Sequence, residues 1–214
     1  MNERWNRDEI VAKDKRHVWH PYTEMSTYVR ETEPLVVVRA EGSRLFDADG
    51  RSYLDANSSW WVASLGHGHP RLVAALERQA RTMAHCALAG IAHPEAAYLA
   101  EELCAVAPPG LSRVFFSDDG STAVEAAIKM AVQWFGQNGE PRRKRIVALE
   151  GAFHGDTVGV ASLGGVEVFR RPYAGLLFDC VHVPSPADDG AYARAFEALD
   201  QALARAGDEI AAVV

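Results

Sequence analysis

The sequence predicts an α/β protein with a mostly parallel sheet, helices on both faces of that sheet, and a small antiparallel β meander near the N-terminus. Two patterns support this. Short apolar runs alternate with helix-like stretches after residue 112. Before residue 56, three strand-like segments are joined by glycine turns. The composition, 48% hydrophobic and 24% charged residues, is typical of a globular chain with a sizeable core.

The individual elements follow from turn residues and hydrophobic spacing. Gly42 and Gly50 mark the turns of the meander, and Pro94 suits the first turn of a helix. Strands are predicted at residues 35–38, 44–47, 52–55, 113–117, 145–149, 179–183 and 210–214. Helices are predicted at residues 70–85, 94–106, 121–135, shortly after 156, and 191–206.

Two regions are predicted along the chain. Residues 1–60 would form an N-terminal segment that contributes to a small domain, and residues 61–214 would form the first part of a larger, ligand-binding domain. The last residues are an apolar, strand-like run with neither a turn nor a polar tail after it. We therefore expect the larger domain to be truncated at Val214.

Charge and composition exclude several classes of partner. A net charge of -7 argues against a nucleic-acid partner, which would require a basic face. The N-terminus lacks the apolar core of a signal peptide and no run has the length of a membrane span, so we expect a cytoplasmic protein with no membrane partner. The three cysteines lack CxxC spacing and are expected to be small buried hydrophobes. His17 and His20 have no further ligands to complete a metal set, so no metal site is predicted.

The first candidate for chemistry is a turn at residues 118–122, here called the anion turn, between an apolar run and a helix. Gly120 allows a ligand close to the backbone, and the helix N-terminus with the Ser121 and Thr122 hydroxyls favours a phosphate. The alternative is that Asp118 or Asp119 simply caps the helix. Because carboxylates repel an anion, we expect at least one of them to turn toward the helix N–H groups or solvent.

The second candidate is residues 153–157, here called the aromatic loop, which follows a predicted strand. Ligands of parallel sheets bind beyond the carboxyl ends of the strands, so this loop is expected to face the anion turn. Phe153 is a candidate to stack on a planar cofactor, with His154 and Asp156 orienting it. The alternative is that Asp156 caps the next helix and His154 bonds within the loop.

Aromatic residues form a third candidate, in the N-terminal part of the chain. Tyr22 lies in a segment rich in aromatics and histidines, and Trp60 and Trp61 are adjacent in a loop. Adjacent residues of regular structure cannot both face one core. We therefore expect one tryptophan at a pocket or subunit surface, and leave partial burial of the other open.

These segments together carry a resemblance to a known family. The motifs are Trp19-His20-Pro21-Tyr22-Thr23, Ser58-Ser59-Trp60-Trp61, Gly66-His67-Gly68-His69-Pro70, Asp118-Asp119-Gly120-Ser121-Thr122-Ala123-Val124-Glu125 and Phe153-His154-Gly155-Asp156-Thr157. Over nearly its whole length the chain resembles the class III, fold-type I, pyridoxal 5'-phosphate (PLP)-dependent aminotransferases. The first two motifs are most similar to the branch of the family that acts in biotin biosynthesis.

The resemblance implies a role for each matching residue. Gly120 and Ser121 would hold the phosphate of PLP, while Phe153 would stack on its pyridine ring with His154 beside it. Substrate would be contacted by Tyr22, Trp60, Trp61 and Phe153. In the biotin branch the amino donor is S-adenosylmethionine, whose adenine would meet Tyr22, and the acceptor is 8-amino-7-oxononanoate. A homodimer with the active site at the subunit boundary is also implied.

Two departures from the family pattern bear on function. Phe153 stands where the biotin branch often has tyrosine, which affects substrate choice. The Schiff-base lysine and the pyridine-nitrogen aspartate are expected beyond Val214, so no catalytic residue is assigned in this chain. The chain has four lysines, of which Lys129 lies about 12 Å along its helix from Ser121. We therefore expect the chain alone to be inactive.

Two other functions remain open. One is a class III aminotransferase that acts on another ω-amine or diamine, because the two cofactor motifs are shared widely in the class. The other is a non-catalytic α/β module that binds a phosphorylated small ligand.

Overall fold

The computed structural model describes residues 5–187 and 191–214. It divides into two compact units, Met1–His93 and Pro94–Val214, each of which contains one three-stranded sheet. The domain division at residue 60 concerns the whole protein and stays a prediction.

Two helices at the N-terminus were not predicted: α1 (Arg7–His17) and α2 (Met25–Glu31). The Asn6 side chain accepts a hydrogen bond from the Glu9 amide at the start of α1, and no residue of α1 is buried. Sequence reasoning missed α1 because a helix without a buried face has no hydrophobic period to detect.

The antiparallel meander is confirmed. Its strands are β1 (Val37–Glu41), β2 (Arg44–Asp47) and β3 (Ser52–Leu54), in the order β1-β2-β3. Asp47 at the end of β2 is buried and accepts hydrogen bonds from the Tyr53 hydroxyl at 2.9 Å and the Arg51 Nε at 2.8 Å. The unit continues through the short turn α3 (Ser58–Trp61) and helix α4 (Pro70–Thr82).

The second unit contains the predicted parallel sheet. Strands β4 (Arg145–Leu149), β5 (Val181–Val183) and β6 (Ile210–Val213) pair in the order β5-β4-β6, and both pairings are parallel. The helices are α5 (Pro94–Val106), α6 (Gly120–Gln137), α7 (Val158–Leu163), α8 (Glu167–Arg170) and α9 (Tyr192–Ala206), with a 3₁₀ helix at Arg171–Leu176.

The strand predicted at residues 113–117 is wrong. This segment forms no regular element, and in the described part of the chain it pairs with no strand. Strand structure requires a partner ladder, which apolar composition alone does not supply.

The core lies on both faces of β4, whose central residues are fully buried. On one face Ile146 and Ala148 pack with Leu163 of α7, and α6 covers this cluster. On the other face Val147 packs with Val183, and α9 covers that cluster. A strand that is buried on both faces has a nearly continuous apolar sequence. For this reason the strand at residues 145–149 was predicted correctly.

The three cysteines are free and half-buried. Cys180 Sγ donates to the Ile146 carbonyl at 3.1 Å, and burial raises the pKa of this thiol to about 11. Among the residues that the structure describes, no helix is long and apolar enough to cross a membrane. Within the same residues, no group of three or more histidines, cysteines or carboxylates could hold a metal ion.

Candidate functional site

The anion turn is the N-terminus of α6 and is closed by a capping box. The Asp119 carboxylate accepts the Thr122 amide at 2.9 Å, and Thr122 Oγ1 accepts the Asp119 amide at 3.1 Å. The prediction that one carboxylate turns toward the helix N–H groups is therefore confirmed for Asp119. The Thr122 hydroxyl, in contrast, donates to the Asp119 carbonyl at 3.0 Å and so belongs to the cap.

The cap leaves the first two amides of α6 available. Asp119 satisfies Thr122 through its side chain and Ala123 through its carbonyl, at 3.0 Å. In the described part of the chain, the Gly120 and Ser121 amides have no hydrogen-bond partner. These two donors lie at the positive end of an 18-residue helix, an arrangement that favours an anion.

The aromatic loop lies against the anion turn, as the sequence predicted. Gly155 has a φ of 114° and approaches Ser121 so closely that a Cβ on Gly155 would lie 1.8 Å from Ser121 Oγ. Only glycine fits this contact, because a side chain would meet both a strained backbone and the serine hydroxyl. Two loops separated by more than 30 residues therefore form one surface.

Glu125 joins the elements behind the two loops. Its carboxylate accepts hydrogen bonds from Thr157 Oγ1 at 2.7 Å and from the Val160 amide at 3.2 Å. A Cβ on Gly159 would lie 2.2 Å from Glu125 Oε2, so α7 approaches this carboxylate closely. Sequence reasoning gave Glu125 no role, although its position four residues after Ser121 places both on one helix face.

The other aromatic-loop residues line the same region. The Phe153 ring is exposed on one side and contacts the Phe169 ring at 5.6 Å between centroids. His154 Nε2 is buried, and the described residues offer it no hydrogen-bond partner. Thr157, not Asp156, occupies the N-cap position of α7, so the predicted alternative in which Asp156 caps that helix is wrong.

These features fit a phosphorylated planar cofactor. Free amides of the anion turn suit a phosphate, the exposed Phe153 ring suits a flat heterocycle, and the unpartnered His154 Nε2 suits a polar substituent. Gly155 lets the two loops pack together, since a side chain there would meet Ser121.

Tyr22, Trp60 and Trp61 of the N-terminal unit form a second cluster. The Tyr22 and Trp60 rings stack with centroids 5.6 Å apart and planes at 29°, and Trp61 meets Trp60 edge-on at 6.3 Å. All three remain largely exposed, at 69%, 61% and 77% for Tyr22, Trp60 and Trp61. The structure therefore places both tryptophans at the surface, and neither is partly buried in a core.

The two tryptophans lie in a left-handed helical turn, Ser58–Trp61. The φ values of Ser58, Ser59, Trp60 and Trp61 are 52°, 48°, 67° and 67°. Left-handed conformation costs an L-residue about 1–2 kcal/mol, or about 4–8 kcal/mol for the whole turn. Such strain persists only where the surroundings hold it, and it occurs most often at functional sites.

A small polar cluster holds the segment that precedes Tyr22. Asp14 Oδ2 accepts the Tyr28 hydroxyl at 2.6 Å and lies 3.0 Å from His20 Nε2, two residues before Tyr22. Burial, together with the hydrogen bond to Asp14, raises the pKa of Tyr28 to about 12. The hydroxyl of Tyr28, followed by His20, lowers the pKa of Asp14.

The fold and the site geometry define a class: an α/β protein in which the N-terminus of a helix, with two unpaired amides, lies beside an aromatic loop within the described residues. The family model described as aminotransferase class-III matches residues 27–214. The chain belongs to the class-III aminotransferase family, whose members depend on PLP.

Individual relatives agree with this assignment. The chain is 47% identical over 179 residues to adenosylmethionine-8-amino-7-oxononanoate aminotransferase of Nitratidesulfovibrio vulgaris, covering 83% of this chain and 33% of the relative. The crystal structure of the enzyme of that name from Methanocaldococcus jannaschii superposes with a TM-score of 0.89 at 34% identity, covering 97% of this chain and 46% of that one.

The ω transaminase from Pseudomonas jessenii in complex with PMP superposes with a TM-score of 0.86 at 31% identity, covering 95% of this chain and 48% of that one. The chain thus spans from a third to a half of the length of these three relatives.

Proposed function

We propose that this chain provides the cofactor and substrate loops of a PLP-dependent aminotransferase of biotin biosynthesis. The reaction transfers an amino group from S-adenosylmethionine to 8-amino-7-oxononanoate and gives 7,8-diaminononanoate. The names of the relatives support this reaction, and the observation that carries it is the contact of Gly155 with Ser121, which unites the two cofactor loops. We further propose that the protein works in the cytoplasm as a homodimer.

Each cofactor residue has a physical task. The Gly120 and Ser121 amides hold the phosphate at the positive end of α6, and Phe153 stacks on the pyridine ring. His154 Nε2 gains the hydrogen-bond partner that it lacks among the described residues. When bound, PLP supplies an electron sink for the reacting carbon.

The chain's residues bind and orient, and we assign the catalytic proton transfer to a lysine outside residues 1–214. Lys129 lies on the exposed side of α6, well past the anion turn. Its position along the helix axis, about 12 Å from Ser121, is too far from the ligand surface for a direct role.

The substrate task falls to the aromatic cluster. Stacked Tyr22 and Trp60 offer a flat surface for the adenine of the donor, and Trp61 adds apolar contact for the acceptor chain. Phe153 of the second unit is a separate apolar substrate contact. In this proposal the aromatic rings contact the flat adenine base, and apolar side chains contact the aliphatic chain of the acceptor.

Cofactor binding is tested on the 214-residue chain with pyridoxine 5'-phosphate, which has no aldehyde and cannot label lysines. Calorimetry should show saturable binding to the chain, and a Gly120→Asp variant should lose it, because a carboxylate at the helix N-terminus repels phosphate. Equal binding by both would contradict the assigned phosphate site.

The reaction is tested on the protein made from this chain and the rest of its reading frame, loaded with PLP. Mass spectrometry should detect 7,8-diaminononanoate from S-adenosylmethionine and 8-amino-7-oxononanoate. For the 214-residue chain alone we expect no turnover; turnover, with a lysine labelled by PLP and borohydride, would contradict the assignment of the lysine.

A second candidate is a class III aminotransferase that uses a simple ω-amine or diamine. It is favoured by the structural match to an ω transaminase and by the phenylalanine at position 153. Turnover of ω-amines without turnover of S-adenosylmethionine would support it. Cofactor binding without any turnover by the longer protein would instead indicate a non-catalytic binding module.

A further inference from the structure

Asp55 lies directly after β3 and has a side chain that is only 5% exposed. Its carboxylate accepts three hydrogen bonds or ion-pair contacts: the Ser59 amide at 2.9 Å, the Ser59 hydroxyl at 2.7 Å, and His67 Nε2 at 2.7 Å. These contacts lower the pKa of Asp55, the Ser59 amide contributing most, followed by His67. The carboxylate therefore joins the left-handed turn to the segment around His67.

Asp55 and His67, which this contact joins, are both bonded to the meander. The Asp55 amide donates to the Ser43 carbonyl at 2.9 Å. His67 pairs with Gly42 through two backbone hydrogen bonds, at 3.0 and 2.8 Å. Gly66 fits tightly there, since a Cβ on it would lie 3.3 Å from the Gly42 backbone. The Asp55 carboxylate is thus held by the β1–β2 turn on two sides.

The other hydrogen bonds of the left-handed turn involve its immediate chain neighbours. The Asn57 side chain accepts the Trp60 amide at a long 3.4 Å, and the Asn57 carbonyl accepts the Trp61 amide at 2.8 Å. The Ser58 amide donates to the Asp55 carbonyl at 3.2 Å, and the Val62 and Ala63 amides donate to the Ser58 carbonyl. All of these bonds join chain neighbours and depend on the backbone conformation of the turn. The two bonds from Ser59 to Asp55 instead tie the middle of the turn to a separate, fixed group.

We propose that Asp55 is a positioning residue that fixes the left-handed turn and so sets Trp60 against Tyr22 to form the substrate-facing aromatic surface. The consequence for substrate rests on the proposed function. Asp55 touches no reacting atom, and its effect is on affinity for a flat or apolar substrate. Without it, the four residues are expected to leave the left-handed region, because their strain is no longer held.

The structural part is tested by near-ultraviolet circular dichroism of the 214-residue chain. A Trp60→Phe variant first identifies the band due to Trp60. Asp55→Asn should at least halve that band, because its single acceptor oxygen cannot serve both the Ser59 amide, which bonds Oδ1, and the donors that bond Oδ2. Ser59→Ala, a milder change that removes one bond, should reduce it less.

Asp47→Asn is the matched control, because Asp47 is an equally buried carboxylate of the same meander. We expect it to lower the thermal midpoint as Asp55→Asn does while leaving the Trp60 band intact. Ser58→Gly in the Asp55→Asn background should restore part of the band, since glycine takes positive φ without strain. An intact band in Asp55→Asn, or an equal loss in the Asp47→Asn control, would overturn the proposal.

The substrate part is tested on the longer, PLP-loaded protein. Asp55→Asn should raise KM for the donor about tenfold, with kcat within about twofold and the cofactor absorbance unchanged. An unchanged KM together with a lost Trp60 band would overturn the role in substrate binding. If the enzyme does not act on S-adenosylmethionine at all, the proposed function fails, and the dichroism result still decides the role of Asp55.

Discussion

Thr157 Oγ1 donates a 2.7 Å hydrogen bond to Glu125 Oε1 across 32 residues of chain. Glu125 lies on α6, whose N-terminus is the anion turn, and Thr157 ends the aromatic loop. The same carboxylate accepts the Val160 amide and so does for α7 what an N-cap side chain normally does. This bond therefore couples the two loops assigned to the cofactor.

Replacing Glu125 by alanine should lower the free energy of unfolding by about 1–3 kcal/mol, because it leaves the Thr157 hydroxyl and the Val160 amide unpaired. Glu125→Gln keeps one acceptor oxygen and should lose less. Urea denaturation measures both, with Glu101→Ala at an exposed site of α5 as control. Affinity for pyridoxine 5'-phosphate should fall in the same order; equal losses in the alanine and glutamine variants would contradict the coupling.

Gly155→Ala should abolish the close contact of the two loops. The added methyl group meets Ser121 Oγ and also forces a side chain onto a φ of 114°. We expect a loss of about 2–5 kcal/mol of unfolding free energy, from strain and overpacking together. Gly151→Ala is the control, because Gly151 has a φ of 73° and open space at its Cβ. A similar loss in both variants would attribute the effect to backbone strain alone.

His154→Phe should separate ligand binding from stability. It removes a buried nitrogen that has no partner within the described residues, so stability should be unchanged or rise by about 1–3 kcal/mol. Calorimetry should at the same time show about tenfold weaker binding of pyridoxine 5'-phosphate. His182→Phe is the contrast: it removes a 3.1 Å contact between His182 Nε2 and the Leu163 carbonyl and should destabilise. Lower stability in His154→Phe would show that His154 is structural.

Glu24 should make α2 sensitive to acid. Hydrogen bonds from Ser26 first, then from Thr27, lower the pKa of Glu24 from 4.5 to about 2. A carboxyl group with a lowered pKa stabilises the folded state fully above pH 4.5, and this stabilisation is lost as the pH falls toward about 2. Carboxyl-carbon NMR should give a titration midpoint near 2. The difference in unfolding midpoint between the wild type and Glu24→Gln should shrink across that same window; a midpoint near 4.5 would rule out the cap.

Sequence patterns predicted the elements whose cause is local. Strand β4 was found because a strand buried on both faces is uniformly apolar, and α6 because Asp119 and Gly120 open an apolar-periodic segment. The strand at residues 113–117 was predicted wrongly because a strand depends on a neighbouring strand to pair with, and the local sequence does not show whether that neighbour exists.

The sequence by itself determined the alternation of strands and helices, the anion turn and the motifs of an aminotransferase, because propensity, capping and glycine act over a few residues. The tertiary structure alone decided that Glu125 holds α7, that Gly155 meets Ser121, and that Asp55 holds a left-handed turn. No local preference favours four consecutive left-handed residues. They are stable here because Asp55, which the Ser43 carbonyl and His67 hold in place from elsewhere in the chain, bonds Ser59 and offsets the strain.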